Sequence, residues 1–293
     1  MTFYQVPAFL LLFASMAGAA GIAVGAHLIV RRRFRGFAFS SNNNVGGVIL
    51  GVLGGLYAIM LAFVVGIVWR EYDDSGQRVA GEVAAATNVW YAASGLPQPQ
   101  RRETREMLLE YARLMVDKEW PAMRSGGRSP AAVPMLARAF ELVEAVHIGP
   151  NGEQNAQQMA MQQLGVMQET RYFRLDDNER GLTTFQWTIL VVGSVLVISF
   201  CFLLGSDSLR VQLLMTASVA AMIALIFVLI YELDYPFRGG IGLPPDRWVE
   251  FIEDHKLARI PAAVPGLGHS STTGLLSVPT ASTSTSTTSP GTR

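Results

Sequence analysis

Ile59, Phe63 and Ile67 stand four residues apart inside a long apolar run. Bulky apolar side chains stacked on one helical face can close a narrow passage by excluding water from it. The same stripe would also serve as lipid contact or core, and the pattern leaves both readings open. Acidic residues gather at the edges of the apolar runs: Glu71, Asp73 and Asp74 after one, Glu232 and Asp234 after another. The default expectation is solvated charges at an interface; the alternative is a charged vestibule that biases the passage of ions. A third pattern is made of small residues. Gly47, Gly51, Gly55, Ala58, Ala62 and Gly66 fall within an arc of about 100° if the run is helical. Small residues on one face let helices approach closely in lipid, where packing drives association. Gly18, Gly21 and Gly25 repeat the device in the first apolar run. The simplest use is packing of the first two runs on each other, with assembly of several copies as the alternative.

Covalent and metal chemistry find little support. The sequence has no phosphate-cradling glycine loop, no HExxH, no Gly-x-Ser-x-Gly and no paired Cys and His. Its four histidines, His27, His147, His255 and His269, are scattered, so no metal site is expected. The lone Cys201 lies in an apolar run and reads as a packing residue. Neither an enzymatic activity nor a cofactor is expected.

The elements that must position these residues follow from hydropathy. With 50% hydrophobic and 16% charged residues and a mean hydropathy of +0.30, the chain is too apolar for an ordinary soluble domain of 293 residues. Net charge is zero, which gives no general attraction for nucleic acid. Four stretches free of Asp, Glu, Lys and Arg reach membrane-spanning length: Val6 to Val30, Val45 to Trp69, Leu182 to Leu204 and Val211 to Tyr231. In lipid such stretches must be helical, because each backbone polar group needs a partner within its own segment. The first has no basic residue ahead of it and is long for a signal core, so it reads as a helix that stays.

Residues 70–181 are polar, with helical periodicity and no strand pattern. The second span is expected to continue into water to about Ser94. A helix over Arg101 to Trp120 would follow, with Leu108, Tyr111 and Met115 on one face. Another would start with Ser129 as cap and Pro130 at the first helical position, carrying Leu136, Phe140 and Val143 as its stripe. A Gln- and Met-rich helix from Asn155 to Arg174 closes the set. After the fourth span, Gly239 to Gly242 suggests a turn, and Trp248 to Leu257 a short amphipathic helix. The expected plan is all-α. A first pair of transmembrane helices (residues 1–69, spans 6–30 and 45–69) precedes a helical extramembrane domain (70–181). A second pair (182–231, spans 182–204 and 211–231), a post-membrane segment (232–260) and a disordered Ser/Thr-rich tail (261–293) complete it.

These features together resemble the bestrophin-like domain family of bacterial membrane proteins. The resemblance is carried by the order of spans, Tyr57-Ala58 and Ala62-Phe63, Tyr72 and Glu82, and the run Glu232-Leu233-Asp234-Tyr235-Pro236-Phe237-Arg238-Gly239. It covers about residues 5 to 258, and Glu232, Asp234, Pro236, Phe237 and Gly239 are its most specific part. More distantly the chain is similar to the bestrophins, pentameric and mainly anion-selective channels whose second span lines an apolar neck. The resemblance implies a homo-oligomer in a bacterial inner membrane, a neck at Ile59, Phe63 and Ile67, and small ions as passengers. Gly239-Gly240-Ile241-Gly242 stands where calcium-regulated bestrophins carry an acidic cluster, which argues against calcium gating. Orientation draws two opposite signals. Arg31, Arg32, Arg33 and Arg35 favour a cytoplasmic loop after the first span. The resemblance, with Arg70, Arg78, Arg171, Arg174 and Arg180 on the domain side, favours a cytoplasmic domain, and that is the placement expected. A membrane-anchored interaction protein without transport activity is the alternative.

Overall fold

The computed structural model describes residues 8–33, 43–147, 152–205 and 208–257. The expected disordered tail lies outside them. Among the described residues the chain is all helical, and four helices are long and apolar enough to cross a membrane.

Helix α1 (Ala8–Arg33) is followed by α2 (Asn43–Ala92), a single 50-residue helix that begins among the apolar spans and ends inside the polar domain. No proline or paired glycine interrupts it after Trp69, so the apolar span and its charged continuation form one rod. Helix α3 (Gln100–Leu114) passes through a π-helical turn at Met115–Glu119 into α4 (Trp120–Arg124). Next come α5 (Ala132–Glu144) and α6 (Glu153–Glu179). The remaining spans are α7 (Thr184–Leu203) and α8 (Leu209–Leu233), and α9 (Asp246–Leu257) closes the described chain.

Two packed regions result. In the polar domain, Val89, Leu108, Tyr111, Met115, Met123, Leu164, Met167 and Trp248 are buried together. In the apolar part, Tyr57, Leu61 and Val68 of α2 meet Leu190 and Val197 of α7 and Ile223 and Ile230 of α8. α2 runs along α6 in the domain and along α7 and α8 among the spans, so it belongs to both cores.

Three expectations need correction. The first two spans do not pack on each other: α1 lies along α8, and its contact with α2 is marginal at most. A methyl group placed on Gly18, Gly21, Gly25, Gly47, Gly51, Gly55 or Gly66 would meet nothing within 4 Å. These glycines therefore face away from the other described residues. Ser129 is not a helix cap and Pro130 is not a first helical residue; α5 starts at Ala132, without a side-chain cap. The backbone N–H of Ser129 instead donates to Glu119 (2.9 Å), which fixes the turn ahead of the helix. The helix expected up to Trp120 keeps its α-form only to Leu114, because the π turn inserts a residue that brings Glu119 into the core, where it is fully buried.

Candidate functional site

Helix α2 has one covered side and one free side. Tyr57, Leu61, Val68, Ser75, Val79 and Glu82 are buried against α6, α7 and α8. At about 100° per residue these six fall within about 60° of one another. About 150° around the helix from them lie Val52, Ile59, Phe63, Arg70 and Gln77, all exposed, within about 40°. Ile59 is 57% exposed and Phe63 70%, and Ile67, further toward one flank, is 48% exposed. Bulky apolar side chains thus stand free on a helix whose opposite side is anchored in a core. The small-residue stripe borders this free face. Gly51, Gly55, Ala58, Ala62 and Gly66 are exposed as well.

What anchors the helix is a buried ionic network that sequence reading missed. Glu82 accepts from Arg174 at both carboxylate oxygens (2.7 and 3.2 Å) and from the Tyr111 hydroxyl (2.8 Å). Arg174 is completely buried, and its guanidinium lies 4.8 Å from the centre of the Trp120 ring and against the sulfurs of Met115 and Met123. Burial disfavours charge on Arg174, but the Glu82 carboxylate outweighs that and leaves its pKa raised. Burial first, then Glu82, holds the Tyr111 hydroxyl well above its ordinary value, so it stays a donor. Glu119, delivered by the π turn, accepts from Arg171 (2.7 Å) and from Ser129 N. Arg171 and Arg174 are therefore internal ion-pair partners. They contribute no solvated charge beside the membrane, contrary to their sequence reading.

The run after α8 is a second anchor. Asp234 accepts from Leu182 N (2.7 Å), and Thr183 and Gln186 cap α7 reciprocally, so the end of α8 fixes the start of α7. Glu232 accepts from Gly240 N (2.9 Å), closing a turn in which Gly239 has φ 78°, a conformation favourable to glycine. Phe237 is buried edge-on to Trp120, and Trp120 Nε1 donates to the Leu243 carbonyl (2.9 Å). The Pro236 carbonyl accepts from Leu243 N (2.7 Å), and Arg238 reaches Asn178. Glu232 and Asp234 were expected as solvated charges. Both are buried, because backbone N–H groups replace water around them. Burial raises the pKa of Asp234 despite the Leu182 bond.

Between these anchors lies a cavity of about 410 Å³ lined by Glu71, Asp74, Arg78, Asp176, Asp177, Arg180 and Asp234. Arg78 pairs with Asp177 and Arg180 with Asp176 (2.9 Å). Asp73 faces another groove, beside Leu243, Asp246 and Arg247, and accepts from Gln77 (2.9 Å). Among the described residues no group of three or more His, Cys, Asp or Glu is placed to hold a metal.

Known proteins with this arrangement give it a context. A model of the bestrophin-like domain matches residues 17–247. Among curated proteins no relative matches. Solved structures share the fold at low identity. A point variant of a bacterial bestrophin homologue from Klebsiella pneumoniae is 13% identical, with a TM-score of 0.62 over 86% of this chain and 98% of that one. A bacterial bestrophin homologue from the same organism, phased on zinc, is 14% identical, with a TM-score of 0.61 over 85% and 97%. A variant of a protein described only as a membrane protein is 15% identical, with a TM-score of 0.61 over 86% and 97%.

Proposed function

This chain belongs to the bestrophin-like family, and from that premise we propose that it works as an oligomeric channel for small ions in a bacterial inner membrane. Several copies surround one axis, five by analogy with the bestrophins. The free face of α2 turns toward that axis, and Ile59, Phe63 and Ile67 form its apolar neck. The observation that carries this reading is the two-sidedness of α2. A row of bulky apolar side chains stands free opposite a side held by packing and by a buried ion pair. A lipid-facing helix needs no such anchor, whereas a neck helix must keep its radius fixed for its side chains to exclude water.

The small-residue stripe flanking the neck face, Gly47, Gly51, Gly55, Ala58, Ala62 and Gly66, packs against the neighbouring copy, where close approach of backbones is possible. The polar domain continues the pore on the cytoplasmic side, and no catalytic role is assigned to it. Planar-bilayer currents from the purified protein and its Phe63→Ala variant test the neck. Removing a ring of phenylalanines is expected to raise unitary conductance, and an unchanged conductance in a variant that conducts would refute the assignment. Stoichiometric capture of a protein partner with no ion flux would favour the membrane-anchored interaction protein.

A further inference from the structure

We infer that Arg70 is the anion-selecting residue of this pore, forming a ring of guanidinium groups at the domain-side mouth of the neck. The inference rests on the reading of α2 as the pore-lining helix. Arg70 is the first charged residue after the apolar span. It lies about 20° from Ile59 around the helix and about 4.5 Å beyond Ile67 along it. It is exposed and lies opposite the buried row of Tyr57, Leu61, Val68 and Ser75. Among the described residues it has no hydrogen-bond or ion-pair partner, so its charge is not spent inside the chain.

The neighbouring carboxylates do not share this position. Glu71 and Asp74 line the cavity toward α6 and the segment after α8, with Arg78 close by. Asp73 lines the groove on the opposite flank and is engaged by Gln77. Asp74 lies one turn beyond Arg70 and about 40° from it around the helix, at the edge of the cavity, so the negative charge sits on the flanks and Arg70 is the only charge within about 20° of the centre of the free face until the neutral Gln77. A guanidinium stays protonated at any physiological pH, so such a ring would act as a fixed positive potential beside a water-poor constriction. The ligand class is the small inorganic anion, chloride in the test below, attracted without geometric selection.

The test is the reversal potential of purified full-length protein in planar bilayers under a potassium chloride gradient, for the unmodified chain, Arg70→Gln and Arg70→Lys. The unmodified channel is expected to prefer chloride. Arg70→Gln should still conduct, with its chloride-to-potassium permeability ratio lowered by at least about 25-fold, because one unit charge at about 4 Å in water favours an anion and disfavours a cation by about fivefold each. Arg70→Lys should keep most of the preference. Conducting Arg70→Gln channels with an unaltered ratio would overturn the inference and leave the pore standing, as would an unmodified channel that prefers potassium. If the unmodified protein carries no current, the pore reading fails and this inference fails with it.

Discussion

Replacing Glu82 by Gln is the most informative single perturbation of the polar domain. The change keeps the side-chain volume but removes the negative charge facing Arg174, which is fully buried and whose other carboxylate neighbour, Glu119, is 3.9 Å away. Leaving one member of a buried ion pair uncompensated costs about 3–5 kcal/mol. The hydrogen bond from Tyr111 can survive on the amide oxygen, and the ring of Trp120 still covers the guanidinium. The lower end, about 3 kcal/mol, is therefore expected, and for a protein of this size it corresponds to a fall in Tm of roughly 6–12 °C. Intrinsic fluorescence during heating of the detergent-solubilised protein reads this directly, because Trp120 lies against Arg174. Replacing both partners, Glu82→Leu with Arg174→Met, removes the uncompensated charge and should be less destabilising than either single change, although Tyr111 then lacks its acceptor. Single effects that simply add, within about 0.5 kcal/mol, would refute the ion pair as the anchor of α2.

Two further outcomes follow from the spans and their ends. Because the folded-state pKa of Asp234 is raised, its contribution to stability is present below its unfolded value and is lost as pH rises through the folded value. Asp234→Asn should therefore gain relative to the unmodified chain at neutral pH, and the Tm difference between the two should shrink as pH falls toward 4; a difference independent of pH would contradict the assignment. Gly193→Ala should destabilise the packing of α7 on α2 by roughly 1–3 kcal/mol, since the added methyl would lie 2.5 Å from the Tyr57 ring. Tyr57 is held in place by its bond to the Leu190 carbonyl (2.8 Å), and an unchanged Tm would show that the ring can move aside.

Runs free of charge gave away the four apolar helices, and unbroken periodicity past Trp69 gave away the continuity of α2. These are local properties, written in consecutive residues. The partners of each helix were not local. Gly47 to Gly66 announced a face made for close approach, but nothing in their spacing says whether the approaching backbone belongs to α1 or to another copy. The same holds for buried charge. Glu82 and Arg174 are 92 positions apart; Glu82 entered only through the family resemblance and Arg174 only as a flanking arginine, and no spacing pairs them. Ser129-Pro130 carried a valid start signal, yet Glu119, displaced inward by a π turn that no spacing foretold, took the Ser129 N–H. Glu232 and Asp234 were singled out as a specific run, but their acceptor role depends on Gly240 and Leu182, brought there only by the fold. Arg70 was counted as one of several flanking arginines, and its distinction emerges only when the covered side of α2 is known.

The claim that α2 lines a shared axis is tested most directly by the mass of the purified full-length protein in detergent, corrected for bound detergent by light scattering. A defined ring of several copies, five being the expected number, is the predicted result, because the bulky side chains on the free face of α2 and the glycines beside it are exposed and uncovered by the other described residues. A homogeneous monomer that keeps its fold would contradict the account, since no central pore could then exist.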